Sequence, residues 1–239
     1  MPNLWYDSHR RLSRGDRGPD VAKMQRALNA AGANPTLDPN GIFDSKTEAE
    51  VRAFQKRVDL IDDGLVGPVT HAVLFESNFK YAPVLPPVVR QGTAHLCWAA
   101  SLESVLHGPW PFRKRLRVAD LRKQLASFLT PQGAISEKGI VEAGKKLRFR
   151  DLTPKLSNRK RLHAEVLLKL LASQRPLLLV DNSTGSIAHT RVIYGVEIKQ
   201  GIIGVKVMDP LAGYADVALD MIQPSAMMLS ILAADEVRF

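Results

Sequence analysis

The sequence contains a single cysteine, Cys97, among its 239 residues. One cysteine excludes an internal disulfide and any zinc site built from several thiolates. The chain also lacks an unbroken apolar run near the roughly 18 residues that a membrane-spanning helix needs, so we expect no membrane insertion. The Cys97 thiol is therefore either an apolar filler of a core or a reactive group.

Two further signals are missing from the sequence. There is no HExxH motif and no His and Asp cluster at metal-ligand spacing, so we expect no metal and no cofactor. The first 18 residues lack the basic-then-apolar plan of a signal peptide. We therefore expect a protein made in the cytoplasm and, if it acts outside, exported without the Sec pathway.

The positive charge is concentrated in one segment. The formal net charge is +9, from 33 Lys and Arg against 24 Asp and Glu. Residues 1–75 hold ten basic and ten acidic side chains, whereas residues 110–175 hold seventeen basic and five acidic ones. Nucleic-acid binding favours interleaved aromatic residues, and only four aromatics lie in that segment. We expect no nucleic-acid partner there; a solvated face is the default interpretation, and attraction to an anionic surface is the functional alternative.

The length and the proline positions predict two domains. An apolar fraction of 45% is ordinary for a globular chain, and 239 residues suit two modest domains better than one. Pro83, Pro86 and Pro87 disfavour helix and favour an extended connector. The predicted organisation is a first domain over residues 1–75, a linker over 76–90 and a second domain over 91–239.

An apolar pattern that ends in glutamine occurs twice in the first domain. It comprises Val21, Met24 and Gln25, then thirty residues later Val51, Phe54 and Gln55. Its 3.6-residue period predicts two amphipathic helices, about 19–31 and 45–58, with Pro19 in the first turn of one and Asp44 capping the other. Turns at Asn40-Gly41 and Asp63-Gly64 and a third helix from Pro68 to near Phe75 complete a three-helix module.

The same segment carries a family pattern. The elements are L-S-R-G-D-R-G-P-D-V-x-x-M-Q, D-x-N-G-I-F-x-x-x-T, V-x-x-F-Q and D-D-G-L-V-G-P-x-T. Over residues 11–75 they resemble the peptidoglycan-binding domain of bacterial wall hydrolases, with Asp44 in place of the usual Gly and His71 in place of a common aromatic. The resemblance implies peptidoglycan as a partner. The alternative is a unit that only aids folding or docks another protein.

The residues around Cys97 predict a nucleophile. A turn-like stretch passes into a helical pattern at Cys97, and the free backbone amides of a helix N-terminus stabilise a thiolate. Gln91 lies six residues earlier and can offer an amide N–H that, with the backbone N–H of Cys97, would form an oxyanion hole. The alternative is a buried cysteine that packs in the core and has no catalytic role.

Further along, a predicted β-hairpin centred near residues 200 and 201 brings two polar residues together. His189 and Asp209 fall at the same end of its two strands. We expect the carboxylate to accept the Nδ1–H of the imidazole and to leave Nε2 facing the thiol.

With these residues in place, the second domain resembles the papain-like cysteine peptidases. It is most similar to the compact bacterial branch that includes peptidases processing double-glycine leaders and secreted plant-pathogen effectors. The resemblance implies an α+β fold in which the helix carrying the cysteine packs on an antiparallel sheet. It also implies Cys97 as nucleophile, His189 as general base and acid, Asp209 as its orienting partner and Gln91 as oxyanion donor.

Together the two domains predict a wall-targeted cysteine hydrolase. The leading hypothesis is an amidase or endopeptidase that cuts peptidoglycan peptides, as a lysin released through a phage holin or an antibacterial effector delivered by a type VI-like route. An effector would have a possible cognate immunity protein. Two alternatives stay open: a papain-like protease acting on a protein target, and a non-catalytic wall-binding protein.

Overall fold

The computed structural model describes most of the chain. The described residues are 10–76, 78–108, 115–147, 149–151, 163–172, 177–181, 189–199, 202–222 and 230–234. They divide into two compact units, one made of the described part of residues 1–80 with 163–166 and 198–202, the other of the remainder. The basic residues at 113–114 and 159–161 lie outside the described residues.

The first unit contains the predicted three-helix module. Its helices are α1 (Pro19–Ala30), α2 (Ser45–Arg57) and α3 (Pro68–Phe75). Proline occupies the first turn of α1 and α3, where its missing N–H costs no hydrogen bond. The Asp44 carboxylate caps α2 by accepting from the Thr47 amide at 2.8 Å. These helix starts are as predicted, and the three ends agree with the prediction to within one residue.

Gln25 explains why the glutamine belongs to the repeated pattern. Its side chain is buried in α1, and its Nε2 donates to the Ile42 carbonyl at 3.0 Å and to the Thr47 hydroxyl at 3.1 Å. Its Oε1 accepts from the Gly41 amide at 3.0 Å. Gly41 has a φ of 74°, which favours glycine. One buried amide thus ties a helix to the loop that leads into the next helix.

Gln55 in α2 makes the same set of bonds thirty residues later. Its Nε2 donates to the Leu65 carbonyl at 2.9 Å and to the Thr70 hydroxyl at 3.1 Å, and its Oε1 accepts from the Gly64 amide at 2.9 Å. The repeated Gln, Gly and Thr positions are therefore a structural device, used once per half of the module. The module core between the helices is apolar; it includes Leu12, Val21, Met24, Leu28, Phe43, Val51, Phe54 and Val66.

The second unit combines helices with an antiparallel sheet, which makes the fold α+β as predicted. Its helices are α4 (Cys97–His107), α5 (Val118–Gln124), α6 (Glu137–Lys146) and α7 (Ala164–Ala172), with 3-10 turns at Ala126–Phe128 and Leu219–Ile222. Its strands are β2 (Phe149–Asp151), β3 (Leu177–Asp181), β4 (His189–Lys199), β5 (Ile202–Asp209), β6 (Gly213–Ala218) and β7 (Ser230–Ala234).

The sheet order is β2-β7-β3-β4-β5-β6. A further strand, β1 (Asn78–Tyr81), pairs with β4 off this path and lies within the segment predicted as a linker. Gly195 in β4 permits the close approach, because a Cβ there would meet the Tyr81 carbonyl oxygen at 2.7 Å. The register sets Asp181 of β3 opposite His189 of β4.

Helix α4 is buried almost along its full length. It packs on the sheet through a core that includes Trp98, Leu102, Val105, Leu178, Val180, Val192 and Met208. The Ser101 hydroxyl donates to the Thr190 carbonyl at 2.8 Å and so fixes the helix against the start of β4. The cysteine-bearing helix therefore lies on an antiparallel sheet, as expected.

Part of the basic segment has a structural role. The Arg115 guanidinium donates to the carbonyls of Leu106 and Gly108 at 2.8 and 2.9 Å, at the end of α4. Arg117 pairs at 3.0 Å with the buried Glu103, which also accepts from the Val118 amide at the start of α5. These two arginines therefore stabilise helix ends, Arg115 at the end of α4 and Arg117, through Glu103, at the start of α5.

Helix α5 ends at Gln124, and a 3-10 turn follows at Ala126–Phe128. Within the described ranges, no helix is both long enough and apolar enough to cross a membrane.

Candidate active site

Cys97 is the first residue of α4, as predicted. Its neighbours on both sides are anchored at Gly133: the Trp98 indole donates to the Gly133 carbonyl at 3.1 Å, and the Leu96 side chain packs near the same residue. Cys97 is buried, with 5% of its surface exposed. The thiol therefore has a fixed position where helix amides point outward.

His189 and Asp209 meet at one end of the adjacent strands β4 and β5, which confirms the predicted hairpin and its pairing of these ends. The His189 Nε2 lies 3.1 and 3.0 Å from the two carboxylate oxygens of Asp209. The His189 ring also hydrogen-bonds the Cys97 thiol. The three side chains thus form one chain of contacts.

The assignment of the ring nitrogens expected from the sequence is wrong. Nε2, not Nδ1, faces Asp209, so Nδ1 is the nitrogen left to the thiol. The choice depends on the imidazole rotamer and on the approach of α4 to β4, neither of which sequence spacing determines. The order of roles is unchanged, because either nitrogen of a neutral imidazole can take the thiol proton while the other donates.

The Asp209 carboxylate has more partners than the sequence suggests. Its Oδ1 accepts from the backbone amides of Leu211 at 2.7 Å and Ala212 at 3.3 Å. Its Oδ2 accepts from the Arg191 Nε at 2.9 Å. Sequence reasoning did not single out Arg191, although its place two residues after His189 in a strand is the signal that could have found it.

The electrostatics of the pair favour an ion pair of thiolate and imidazolium. Burial opposes charge on both groups, but the hydrogen bonds and charges between them win. The His189 contact and the N–H of Thr190 hold the pKa of Cys97 below its ordinary value. For His189, burial is outweighed by the bonds to Asp209 and Cys97, which raise its pKa to about 9.

Asp209 remains charged throughout the physiological range. Burial works against its ionisation, yet the bonds from His189, the Leu211 amide and Arg191 hold the pKa of the carboxyl far below its usual range. The carboxylate is therefore a permanent anion that both orients His189 and stabilises its protonated form.

Gln91 is joined to this group through the backbone. Its backbone N–H donates to the Pro210 carbonyl at 3.2 Å, and the Arg90 guanidinium donates to the Leu211 carbonyl. The Gln91 Oε1 is buried with no hydrogen-bond partner among the described residues. The structure brings Cys97, His189 and Asp209 into side-chain contact. Gln91 is connected to the residue after Asp209 through its backbone, and among the described residues its side chain makes no hydrogen bond to the Cys97 thiol.

His95 lies two residues before Cys97 in a turn with a φ of 71°, a left-handed conformation that is uncommon outside glycine and asparagine. His107 is the last residue of α4. In the described ranges no cluster of three or more His, Cys, Asp or Glu side chains is arranged to hold a metal ion.

Part of the first unit matches a known protein family. Residues 17–74 match the family model described as a peptidoglycan binding domain. An uncharacterised protein of Kitasatospora aureofaciens is 39% identical over 74 residues, which are 30% of this chain and 63% of that protein. The chain therefore spans less than two thirds of the length of this curated relative.

Two solved structures are also similar in part. The endolysin of Burkholderia phage AP3 is 44% identical over 28% of this chain and 25% of its own, with a TM-score of 0.27. The peptidase domain of Streptococcus ComA, a bifunctional ABC transporter of a quorum-sensing pathway, is 20% identical. That match covers 63% of this chain and all of the domain, with a TM-score of 0.41.

Proposed function

We propose that this chain is a cysteine hydrolase that cleaves amide bonds in peptidoglycan peptides. The observation that carries the proposal is the connected set of Cys97, His189 and Asp209 at a helix N-terminus, on a chain whose residues 17–74 match a peptidoglycan-binding family. Nucleophile, base and orienter stand in the sequence of contacts that covalent acyl transfer requires.

The first half of the reaction forms a thioester. The Cys97 thiolate attacks the amide carbonyl carbon, and the carbonyl oxygen takes up negative charge. The Cys97 backbone N–H and the Gln91 side-chain amide would donate to that oxyanion. As the carbon–nitrogen bond breaks, the His189 imidazolium gives its Nδ1 proton to the leaving amine, which departs neutral.

The second half restores the enzyme. Neutral His189 now takes a proton from water, whose oxygen attacks the thioester carbon. The carbon–sulfur bond breaks, the acid product leaves, and the Cys97 thiolate faces a protonated His189 again. Asp209 stays ionised in both halves, because its pKa is far below neutral, and it supports the imidazolium each time it forms.

The first unit serves to hold the enzyme on its polymer. Tethering a catalytic unit to an insoluble substrate raises the effective concentration of cleavable bonds without any new contact at the site. In this proposal the enzyme is an amidase or endopeptidase of papain-like type, acting as a lysin or antibacterial effector. The alternatives are a protease whose target is a protein and a wall-binding protein that cleaves nothing.

One experiment separates these functions. Purified full-length protein and its Cys97→Ala variant are incubated with isolated sacculi and, separately, with casein, and the released fragments are identified by mass spectrometry. Soluble muropeptides that require Cys97 support the proposal. Casein cleavage alone supports the protein-directed protease, and sacculus binding without cleavage of either substrate supports the non-catalytic protein.

A matched pair of histidine variants controls for unfolding. His189→Ala removes the proposed base, whereas His95→Asn changes a histidine two residues from the nucleophile and keeps a residue that tolerates the left-handed turn. We expect His189→Ala to lose muropeptide release and His95→Asn to keep it. Equal loss in both variants would contradict a specific role for His189.

A further inference from the structure

We propose that Arg191 is a positioning residue of the active site: it shares the Asp209 carboxylate with His189, fixes its orientation and weakens its hold on the imidazolium. The inference rests on the proposed function for its catalytic consequence, and on geometry alone for its physical content. It adds a positioning side chain to the contacts among Cys97, His189 and Asp209.

The first support is the convergence of two cations on one oxygen. The Arg191 Nε lies 2.9 Å from the Asp209 Oδ2, and the His189 Nε2 lies 3.0 Å from the same atom. His189 and Arg191 are two residues apart in β4, so their side chains leave the same face of the strand. All three side chains are largely buried, with exposed fractions of 10%, 12% and 17% for His189, Asp209 and Arg191.

The second support is that the two carboxylate oxygens differ in their donors other than His189, whose Nε2 lies 3.1 Å from Oδ1 and 3.0 Å from Oδ2. Oδ1 is held by the Leu211 and Ala212 amides, so Asp209 stays in place even without Arg191. Oδ2 has no recorded donor other than His189 and Arg191 among the described residues. Removing the guanidinium therefore frees Oδ2 for His189 rather than releasing the carboxylate.

Among the described residues, the ionisable side chains around His189 come from several elements. Cys97 faces it from α4, Asp209 from β5 and Arg191 from its own strand β4. From β3, Asp181 holds the opposite register position, and Arg90 donates to the Leu211 carbonyl in the turn after Asp209.

A guanidinium keeps its charge at every relevant pH. The Arg191 guanidinium therefore disfavours the protonated form of His189, both by like-charge repulsion and by drawing the negative charge of the Asp209 carboxylate toward itself. An imidazolium that is held less tightly is a stronger acid, and protonating the leaving amine needs a strong acid.

The test compares Arg191→Gln with Arg191→Lys in the full-length protein. The His189 ring is titrated by NMR, which requires no substrate. In Arg191→Gln we expect the titration midpoint to rise by about one pH unit, because Asp209 then serves His189 alone. Arg191→Lys keeps the charge, so its midpoint should stay near that of the wild type.

Activity provides the second readout. If Cys97-dependent hydrolysis is observed, Arg191→Gln should lower kcat roughly tenfold with little change in KM and should move the alkaline limb of the pH profile upward. The exposed variant Arg122→Gln serves as a control for the loss of one positive charge and should match the wild type.

The outcomes are distinguishable from failure of the proposed function. If the wild type cleaves nothing, the function fails, and the NMR midpoints still test the shared carboxylate. A midpoint in folded Arg191→Gln that is unchanged or lower overturns the role of Arg191 even if the enzyme is active. Should Arg191→Gln not fold, a midpoint in Arg191→Lys that differs from the wild type by as much as a unit overturns it as well.

Discussion

The backbone nitrogen of Gln91 lies 3.2 Å from the carbonyl oxygen of Pro210, the residue that directly follows Asp209. The turn after β5 therefore has two functions. Its Leu211 and Ala212 amides hold the Asp209 carboxylate, while its Pro210 carbonyl holds the backbone of Gln91. The proposed orienter and the proposed oxyanion donor are connected through a single turn.

This connection predicts different results for two substitutions of Asp209. Asp209→Asn removes the charge but keeps an oxygen that can accept from the Leu211 amide, so the turn should persist. Asp209→Ala removes the acceptor, and the turn should loosen. Hydrogen exchange of the Gln91 amide, measured by NMR in full-length protein, should be faster in Asp209→Ala and near wild type in Asp209→Asn. Equal rates in both would contradict the connection.

A second prediction concerns the Gln91 side chain. Gln91→Glu keeps its shape but removes the donor and adds a charge that repels an oxyanion. We expect kcat to fall by about 100-fold or more with a small change in KM, the usual result of losing one oxyanion donor. Gln91→Asn is the matched variant, since it keeps an amide on a shorter arm, and its loss should be smaller than that of Gln91→Glu.

The ionisation of Cys97 predicts how the thiol reacts. The only cysteine of the chain is Cys97, so alkylation by iodoacetamide reports this group alone. Its pKa is held below that of an ordinary thiol, so the rate should rise at a lower pH than for a free cysteine. In His189→Gln the inflection should move to higher pH, because burial then acts without the imidazolium. An unshifted profile would contradict the ion pair.

Stability should depend on pH through the same groups. The pKa of His189 is raised from 6.5 to about 9, so its stabilisation is complete below 6.5 and is lost as the pH rises through 9. The pKa of Asp209 is lowered from 3.8, so its contribution is present above 3.8 and is lost as the pH falls through the lower folded value.

Both contributions are therefore complete between about pH 4 and 6.5. The proteins to compare are Cys97→Ala and the double variant Cys97→Ala with Asp209→Asn. The difference between their free energies of unfolding should shrink by about 2 kcal/mol from pH 6 to pH 10. Urea titration at each pH measures it. A difference that is constant over this range would contradict the His189–Asp209 ion pair.

The twin glutamines predict matched effects in the first unit. Gln25→Leu and Gln55→Leu each leave a glycine amide, a loop carbonyl and a threonine hydroxyl without their buried partner. We expect each to destabilise the module by about 2–4 kcal/mol. Hydrogen exchange mass spectrometry of residues 10–76 should detect faster exchange, while alkylation of Cys97 remains at the wild-type rate. Strong loss for only one glutamine would contradict their equivalence.

The sequence predicted elements whose signals are local. Pro19, Asp44 and Pro68 mark helix starts by chemistry that acts within one turn, and the structure has helices there. The hairpin was predictable because its two strands are joined by a short turn and end on paired polar residues. Cys97 at a helix start followed from the change of pattern after Leu96.

Features that depend on distant contacts were not predicted. Strand β1 lies in a segment whose prolines indicated only a connector, and β2 pairs with β7, more than eighty residues along the chain. The Arg191 contact and the ring nitrogen facing Asp209 depend on side-chain rotamers and on the exact register of β4 against β5. Neither is fixed by composition or spacing.

The two halves of the first unit differ in the length of the loop that the glutamine secures. Sixteen residues separate Gln25 from Gly41, but only nine separate Gln55 from Gly64. The same set of bonds thus spans connections of unequal length after the helix ends, residues 31–40 in the first half against 58–63 in the second. Leu37 in the first of these connections is buried in the module core, so the exposed residues 34–36 are where the module could lengthen or diverge during evolution, and where a short peptide tag could be inserted.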